Sequence, residues 1–367
     1  MAHTLQERYS SMVLAKLRAD LVLKDGVVFN NDYEGNPTAG AVKVPVRDTE
    51  VGVGDYNTAT GKSPAEGSTT YKTIYINKDK AINEIIDGYV SAAVPDGIVA
   101  ERLDSGSYSL AYQLDQDGAT TLLAGATAQN ESSVDSTNAY EKVVTARTNL
   151  SKANVPNDGR RFLLVTPDFL ALLLKSDEFI SASNLGDEVK AAGVIGRIAG
   201  FNVIEWNDTT ANLQFIAGHP KFATRVNEWK VPVGLVNLTN EYIGSSAVQG
   251  RMCYGHDVLR ATAIRACYAP GSLALVVQVG TSTAGDAKVT ATSEGSNTLA
   301  YKVNPTSRIA YGTATATYAG TAMTSGTAKV IGLQTAGNVI EVAEFDATTG
   351  LCVKVGYVTL TAADIKA

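Results

Sequence analysis

Apolar and polar positions change period several times along the chain, and each change marks an element. From Ala41 the stretch "AVKVPVRDTEVGVGDY" alternates, with Val42, Val44 and Val46 facing one way and Lys43 and Arg47 the other. A second alternating stretch, "YKTIYINKDKA" from Tyr71, returns after the polar tip "NTATGKSPAEGSTT". Together they predict a long hairpin. Two strands alone are marginal in water, and no nearby sequence covers the apolar face, so the hairpin needs a surface to lie on. A neighbouring copy of the chain is one such surface, because an arm docked on a neighbour gives a contact that can propagate into a closed assembly.

Helical spacing follows. "DKAINEIIDGYVSAAV" sets Ile82, Ile85, Ile86, Tyr89 and Val90 on one face and predicts an amphipathic helix that stops before Pro95. With Asp96 as N-cap, "GIVAERLDSGSYSLAYQLDQDGATTLLAGA" predicts a long helix; its interior Gly106 and Gly118 cost about 1 kcal/mol each relative to Ala, so tertiary packing must hold it. "TNAYEKVVTARTNLSKA" adds another helix. "NVPNDGRRFLLVTPDFLALLLKSDEF" reads as a turn, a buried strand and a helix opened by Pro167, an order that carries catalytic or phosphate-binding loops in many enzymes. "IGRIAGFNVIEWN" reads as strand. Elements alternate without a regular βαβ period, which disfavours a doubly wound parallel sheet. At the N-terminus Leu5, Tyr9, Met12, Val13, Leu17 and Leu21 recur at helical spacing and predict an amphipathic arm, not an export signal.

Composition shifts at "ACYAPGS". From Gly271 to Ala367 there is neither Trp nor His, and 17 of the 97 residues are Thr. Glycine-containing turns separate short runs such as "AKVTATS", "AYGTATATY", "AKVIGL", "NVIEVAEF" and "LCVKVGYVTL", which predict a small β-sandwich or barrel beginning after Pro270.

Bulk properties narrow the function. At 367 residues and 45% hydrophobic content the chain can bury a sizeable core and more than one domain. Its 37 acidic and 31 basic residues, with no long basic run, argue against binding built on phosphate neutralisation. No apolar run approaches the roughly 20 residues of a membrane span. Three cysteines, Cys253, Cys267 and Cys352, are no disulfide framework and fit a reducing cytoplasm.

Candidate chemistry is thin. "TGKS", Thr60 to Ser63, ends like a phosphate-binding loop, but Tyr56 stands where the motif needs Gly, and Pro64 follows at once. "DQDG", Asp115 to Gly118, echoes a calcium loop, yet Gln113 and Ala124 fall at its first and twelfth positions, so a solvated helix face explains the acids better. "CYGH", Cys253 to His256, lacks the further ligands of a closed zinc site. No nucleophile elbow occurs. No catalytic, cofactor-binding or metal residue is assigned.

The order of elements over residues 1 to 270 resembles one family, the major capsid proteins of tailed bacteriophages, whose Hong Kong ninety-seven fold encapsulin shells share. The resemblance rests on the arm, the hairpin "AGAVKVPVRDTEVGVGDY... TTYKTIYINKDKAINEIIDGY", the helix after "VPDGIVAERLDS", and "VPNDGRRFLLVTPDFLALLLKSDEFISAS... GVIGRIAGFNVIEWN". It implies an α+β fold with an N-terminal arm (1–40), an extended hairpin loop (41–80), a peripheral domain with a spine helix (81–150), and an axial domain with closing peripheral strands (151–270). Residues 271–367 are then an added all-β domain resembling the immunoglobulin-like modules on phage heads.

The implied function is structural, with no enzymatic activity and no cofactor: a subunit that self-assembles, as pentamers and hexamers, into an icosahedral head shell enclosing the genome. An encapsulin-type cargo shell is the alternative. A β-rich adhesin would need an export signal, and an enzyme a converging polar site. The hairpin supplies the inter-subunit contact candidates, Val44, Arg47, Tyr56, Lys62, Tyr71 and Ile74. Gly193, Gly196 and Gly200 become axial-domain backbone glycines, where a bulge or close approach near a symmetry axis needs them. The founding member crosslinks a loop Lys to a neighbour's Asn; Lys62 lies in a comparable hairpin, but no matching Asn or assisting acid is found, so no crosslink is carried over. Because the arm begins at Met1, with no scaffolding segment before it, a separate scaffolding protein is implied, together with a portal, packaged double-stranded DNA held without sequence-specific contact, and no membrane. The expected location is the virion, assembled in the bacterial cytoplasm.

Overall fold

The structure is a computed structural model that describes residues 18, 21–33, 40–46, 51–63, 69–88, 98–176, 196–208, 210–239 and 243–367, with the backbone alone at 228 and 229. The chain divides into two compact units, residues 1–126, 155–162 and 218–264, and residues 127–154, 163–217 and 265–367. This division departs from the boundaries expected at 150 and 270: the long helix and the segment after it fall in different units, and residues 265–270 go with the C-terminal region.

In the first unit, β1 (Ala41–Val46) and β2 (Thr70–Tyr75) pair antiparallel, Val42 opposite Ile74 and Val44 opposite Lys72. β3 (Lys78–Ile86), β10 (Ser246–Val258) and β9 (Ala223–Asn237) form a three-stranded antiparallel sheet with β10 in the centre. β3 overturns the helix expected from Asp79. All nine of its residues pair with Ser246–Tyr254, and the β-branched Ile82, Ile85 and Ile86 suit a pleated surface better than a helix. A partner some 160 residues away outweighs the local spacing. Tyr89, Val90 and the expected cap Asp96 lie outside the described residues.

The long helix forms as expected: α1 runs over Ile98–Gly125, 28 residues and so about 42 Å. It lies against the sheet. A Cβ at Gly106 would stand 2.7 Å from Ile82 Cδ1, and one at Gly125 would stand 2.5 Å from Val258 Cβ. Glycines that weaken the helix locally are what let it approach the sheet. The chain before β1 follows α1, with Arg18 bonded to Asp104 at 2.6 Å and stacked over Tyr108, and Leu23 N donating to Asp115.

The second unit holds most of a six-stranded sheet ordered β4 (Thr127–Asn130), β11 (Ile264–Tyr268), β8 (Leu213–Gly218), β5 (Phe162–Val165), β7 (Phe201–Glu205), β6 (Arg197–Ile198). The predicted helices appear as α2 (Ala139–Lys152) and α3 (Pro167–Lys175). Thr166 caps α3, its hydroxyl accepting from Phe169 N, and Pro167 takes the first helical position. All four residues of β5 are buried. "IGRIAGFNVIEWN" is not one strand but the two-stranded turn β6–β7, because Ala199 and Gly200 both take positive φ, 47° and 84°. Such a pair makes the two-residue turn that matches strand twist.

The C-terminal segment is a two-sheet sandwich. β13 (Leu275–Val279), β14 (Ala287–Ala291) and β17 (Lys329–Ile331) form one sheet. The other is ordered β12 (Gly271–Ser272), β19 (Cys352–Thr359), β18 (Val339–Phe345), β15 (Thr298–Val303), β16 (Thr321–Met323). Val289 and Ile331 from the first sheet pack against Leu299, Ile340 and Val342 from the second. "AYGTATATY", expected as a strand, is instead a turn and the one-turn helix α4 (Thr315–Tyr318), which drops Tyr318 onto Phe345 behind the larger sheet. The sandwich is tied to the six-stranded sheet's end of the unit: Tyr311 N donates to Glu131 O at 3.0 Å, and the Tyr311 ring stacks on Tyr268 at 5.3 Å.

Candidate functional site

The β1–β2 hairpin has two unlike faces. On one, Val44 and Ile74 are buried with Val226 of β9, and Val42, Tyr33 and Leu259 pack around them. Lys72 crosses this face and pairs with Asp257 at 3.2 Å. No nearby sequence covers this face, as expected, but the surface it lies on belongs to its own subunit and not to a neighbouring copy, so Val44 and Ile74 drop out as inter-subunit contacts: Val226 and Leu259 lie more than 150 residues away from them, too far for local reading. The opposite face holds Tyr71 and Tyr75, 66% and 65% exposed, with Pro45 and Ala41 across from them.

Toward the tip, Val51, Val53 and Tyr56 are exposed, Tyr56 by 74%. Asn57 and Gly61 close a tight turn there, with Gly61 N donating to Asn57 O at 2.7 Å. Lys62 Nζ turns back to donate to Gly52 O, so the lysine of "TGKS" is engaged within this turn. Arg47 lies outside the described residues. Of the axial glycines, Gly193 also lies outside them, Gly200 has the positive φ noted above, and Gly196 has open space where a Cβ would go, so nothing among the described residues requires its being glycine.

Behind the hairpin's root lies a polar network that sequence reading missed. Asp115 and Asp117 do not sit on a solvated face. Arg225, buried on β9, pairs with Asp25 at 3.1 Å and Asp115 at 3.7 Å and donates from Nε to His256 Nε2 at 2.9 Å. Its guanidinium stacks over Phe29, and the Tyr254 hydroxyl donates to Asp117 at 2.7 Å. Burial, then the adjacent Arg225 cation, pushes His256 down to about 3, so the ring is neutral. Burial also raises Asp115. The network ties the N-terminal segment to α1, β9 and β10, which is a structural task. Cys253 and His256 have separate partners, and no group of metal-ligating side chains is found among the described residues.

No family model and no curated protein matches the chain. Solved structures do. The structure of Mycobacterium phage Che8 superposes with a TM-score of 0.60 at 26% identity, covering 72% of this chain and 96% of that one. The capsid structure of the cyanophage P-SCSP1u gives 0.60 at 15% identity, covering 73% and 93%. The chain has the tailed-phage capsid fold. The mature capsid of bacteriophage PhiM1 matches with a TM-score of 0.53 at 13% identity, over 70% of this chain and 92% of that one. The β1–β2 hairpin, α1 and the six-stranded sheet are the main described elements of this fold before residue 271. The strand and helix of "RRFLLVTPDFLALLLK" thus build that sheet and its cover. Each matched capsid-fold chain is nearly fully covered, while about a quarter of this chain is left over, the size of residues 271–367.

Proposed function

We propose that this protein is the major capsid subunit of a tailed bacteriophage or prophage, self-assembling as pentamers and hexamers into an icosahedral shell around the genome. The observation that carries the reading is the two-faced hairpin on a capsid fold: one face is anchored on the subunit's own β9, while Tyr71, Tyr75 and Tyr56 stay exposed as a surface that another copy can cover. Exposed aromatics grouped on a protruding element mark an interaction surface. The phage origin of the similar structures favours this reading over an encapsulin-type shell. On the same reading the location is the virion, assembly takes place in the bacterial cytoplasm with a separate scaffolding protein and a portal, and double-stranded DNA is enclosed without sequence-specific contact. No described helix is long and apolar enough to cross a membrane.

Residues 271–367 are proposed to be an immunoglobulin-like domain on the outer face of the shell. Strand order supports this: β13-β14-β17 corresponds to A-B-E, and β19-β18-β15-β16 to G-F-C-C′. The Trp and inter-sheet disulfide of antibody domains have no counterpart, since this segment has no Trp and Cys352 is free.

Replacing residues 47–69 by a short Gly/Ser turn tests the hairpin's role. The variant is expected to stay folded, because the anchored face is retained, and to sediment as single subunits under conditions where the parent assembles. Shells formed by the variant would remove the hairpin from the account.

A further inference from the structure

The three-stranded sheet of the first unit has two unlike edges. β9 is guarded: Pro232 removes a backbone donor, and a bulge sets Pro232 and Val233 together opposite Gly250 of β10. β3, at the other edge, pairs with β10 through nine residues without a break or a proline, and among the described residues no strand pairs with its outer side. α1 leaves that side clear. A Cβ at Gly106 would meet Ile82, Val248 and Val233, one residue from each strand, so the helix crosses the middle of the sheet. Lys80, Ile82 and Glu84 share the face that α1 covers, where Glu84 pairs with Arg102. Asp79, Ala81 and Asn83 share the other face, where Asp79 and Asn83 meet Arg251 and Gln249 of β10.

Unpaired N–H and C=O groups along an edge strand are a template for a further strand, and charged side chains are a usual guard against one. Four of the nine residues of β3 are charged, Lys78, Asp79, Lys80 and Glu84. Set antiparallel to its own copy about Ile82, however, the strand is self-complementary. Lys80 falls opposite the partner's Glu84 and Glu84 opposite the partner's Lys80, Ile82 meets the partner's Ile82, Ala81 meets the partner's Asn83, and no two like charges oppose. Opposite charges directly across a strand pair stabilise it, and like charges destabilise it. Centred on Lys80, the same pairing would set lysine against lysine; centred between Ala81 and Ile82, it would set Asp79 against the partner's Glu84. We propose that β3 pairs edge to edge with β3 of a second copy about a two-fold axis at Ile82, joining two three-stranded sheets into one of six strands. This contact is separate from the hairpin and needs only a second copy, so it holds whether or not the copies close into a shell.

Directly opposite residues of an antiparallel pair have Cα atoms about 4.5–5.5 Å apart, within the span of a disulfide, whereas residues offset by two positions lie beyond it. The test is mild oxidation of the full chain carrying both Ala81→Cys and Asn83→Cys, two exposed positions, followed by non-reducing electrophoresis, with the parent's Cys253, Cys267 and Cys352 setting the background. We expect at least tenfold more linked dimer from this chain than from Ala81→Cys or Asn83→Cys alone, because only in the double variant does each new thiol face another. Adding Lys80→Glu should cut the linked fraction at least fivefold and adding Lys80→Met should cut it less, since the first creates like-charge pairs and the second only removes opposite ones. The proposal is overturned if the double variant links no better than the single ones, or if Lys80→Glu leaves its linked fraction unchanged.

Discussion

Gly255 leaves no room for a side chain: a Cβ there would stand 2.3 Å from the backbone oxygen of Tyr75, where β10 passes under the hairpin. Gly255→Ala is expected to cost about 2–3 kcal/mol in urea unfolding, as overpacking against an unyielding backbone does. Gly52→Ala, with open space around it, should stay within about 0.5 kcal/mol. Ala199 pays for a left-handed conformation beside Gly200, so Ala199→Asn should raise stability by several tenths of a kcal/mol, whereas Gly200→Val should lower it by more than about 1 kcal/mol. His256 makes stability depend on pH. Its folded value of about 3 lies below the ordinary 6.5, so the folded state binds fewer protons, and its contribution is complete above pH 6.5 and lost as pH falls toward 3, at up to about 1.4 kcal/mol per pH unit. Asp115, raised by burial, acts in the opposite direction and offsets part of this. His256→Gln keeps an acceptor for Arg225 without titrating, and melting curves between pH 7.5 and 4 should show a shallower slope; an identical slope would exclude His256 as the source.

At the scale of elements, the anchored and the exposed face of the hairpin should respond differently. Val44→Ala empties a buried position and should destabilise the subunit by about 2 kcal/mol. Tyr71→Ser with Tyr75→Ser should leave the unfolding midpoint nearly unchanged and abolish assembly, measured by sedimentation. The reverse pattern would mean that the faces have been assigned the wrong way round. Periodicity alone made the β1–β2 pair, α1, α2 and α3 legible, because in each the local pattern and the tertiary packing favour the same state. It misread β3, whose strand state is set by β10, and it could not find Val226 or Leu259 under the hairpin, because nothing local marks a partner so distant in the chain. The acidic pair on α1 was misread for the same reason: Arg225 is more than 100 residues away.

For the whole molecule, the shift in composition at Pro270 marks the start of the sandwich, whose clustered core residues all come from residues 273–365. What composition could not reveal is the tie through Tyr311 to Glu131 and Tyr268, made by a run whose spacing predicts a strand and which is instead a turn. Truncation after Pro270 is accordingly expected to leave an assembling chain with a lower Tm, and the isolated 271–367 segment should melt cooperatively; an unfolded segment would make the sandwich dependent on the rest of the chain. Electron microscopy of the purified full-length protein is expected to show closed icosahedral shells, with the hairpin of each subunit lying on its neighbour and the sandwich as outward knobs. Particles that remain isolated subunits at concentrations well above those of a bacterial expression culture, with Tyr71 and Tyr75 still facing solvent, would contradict it.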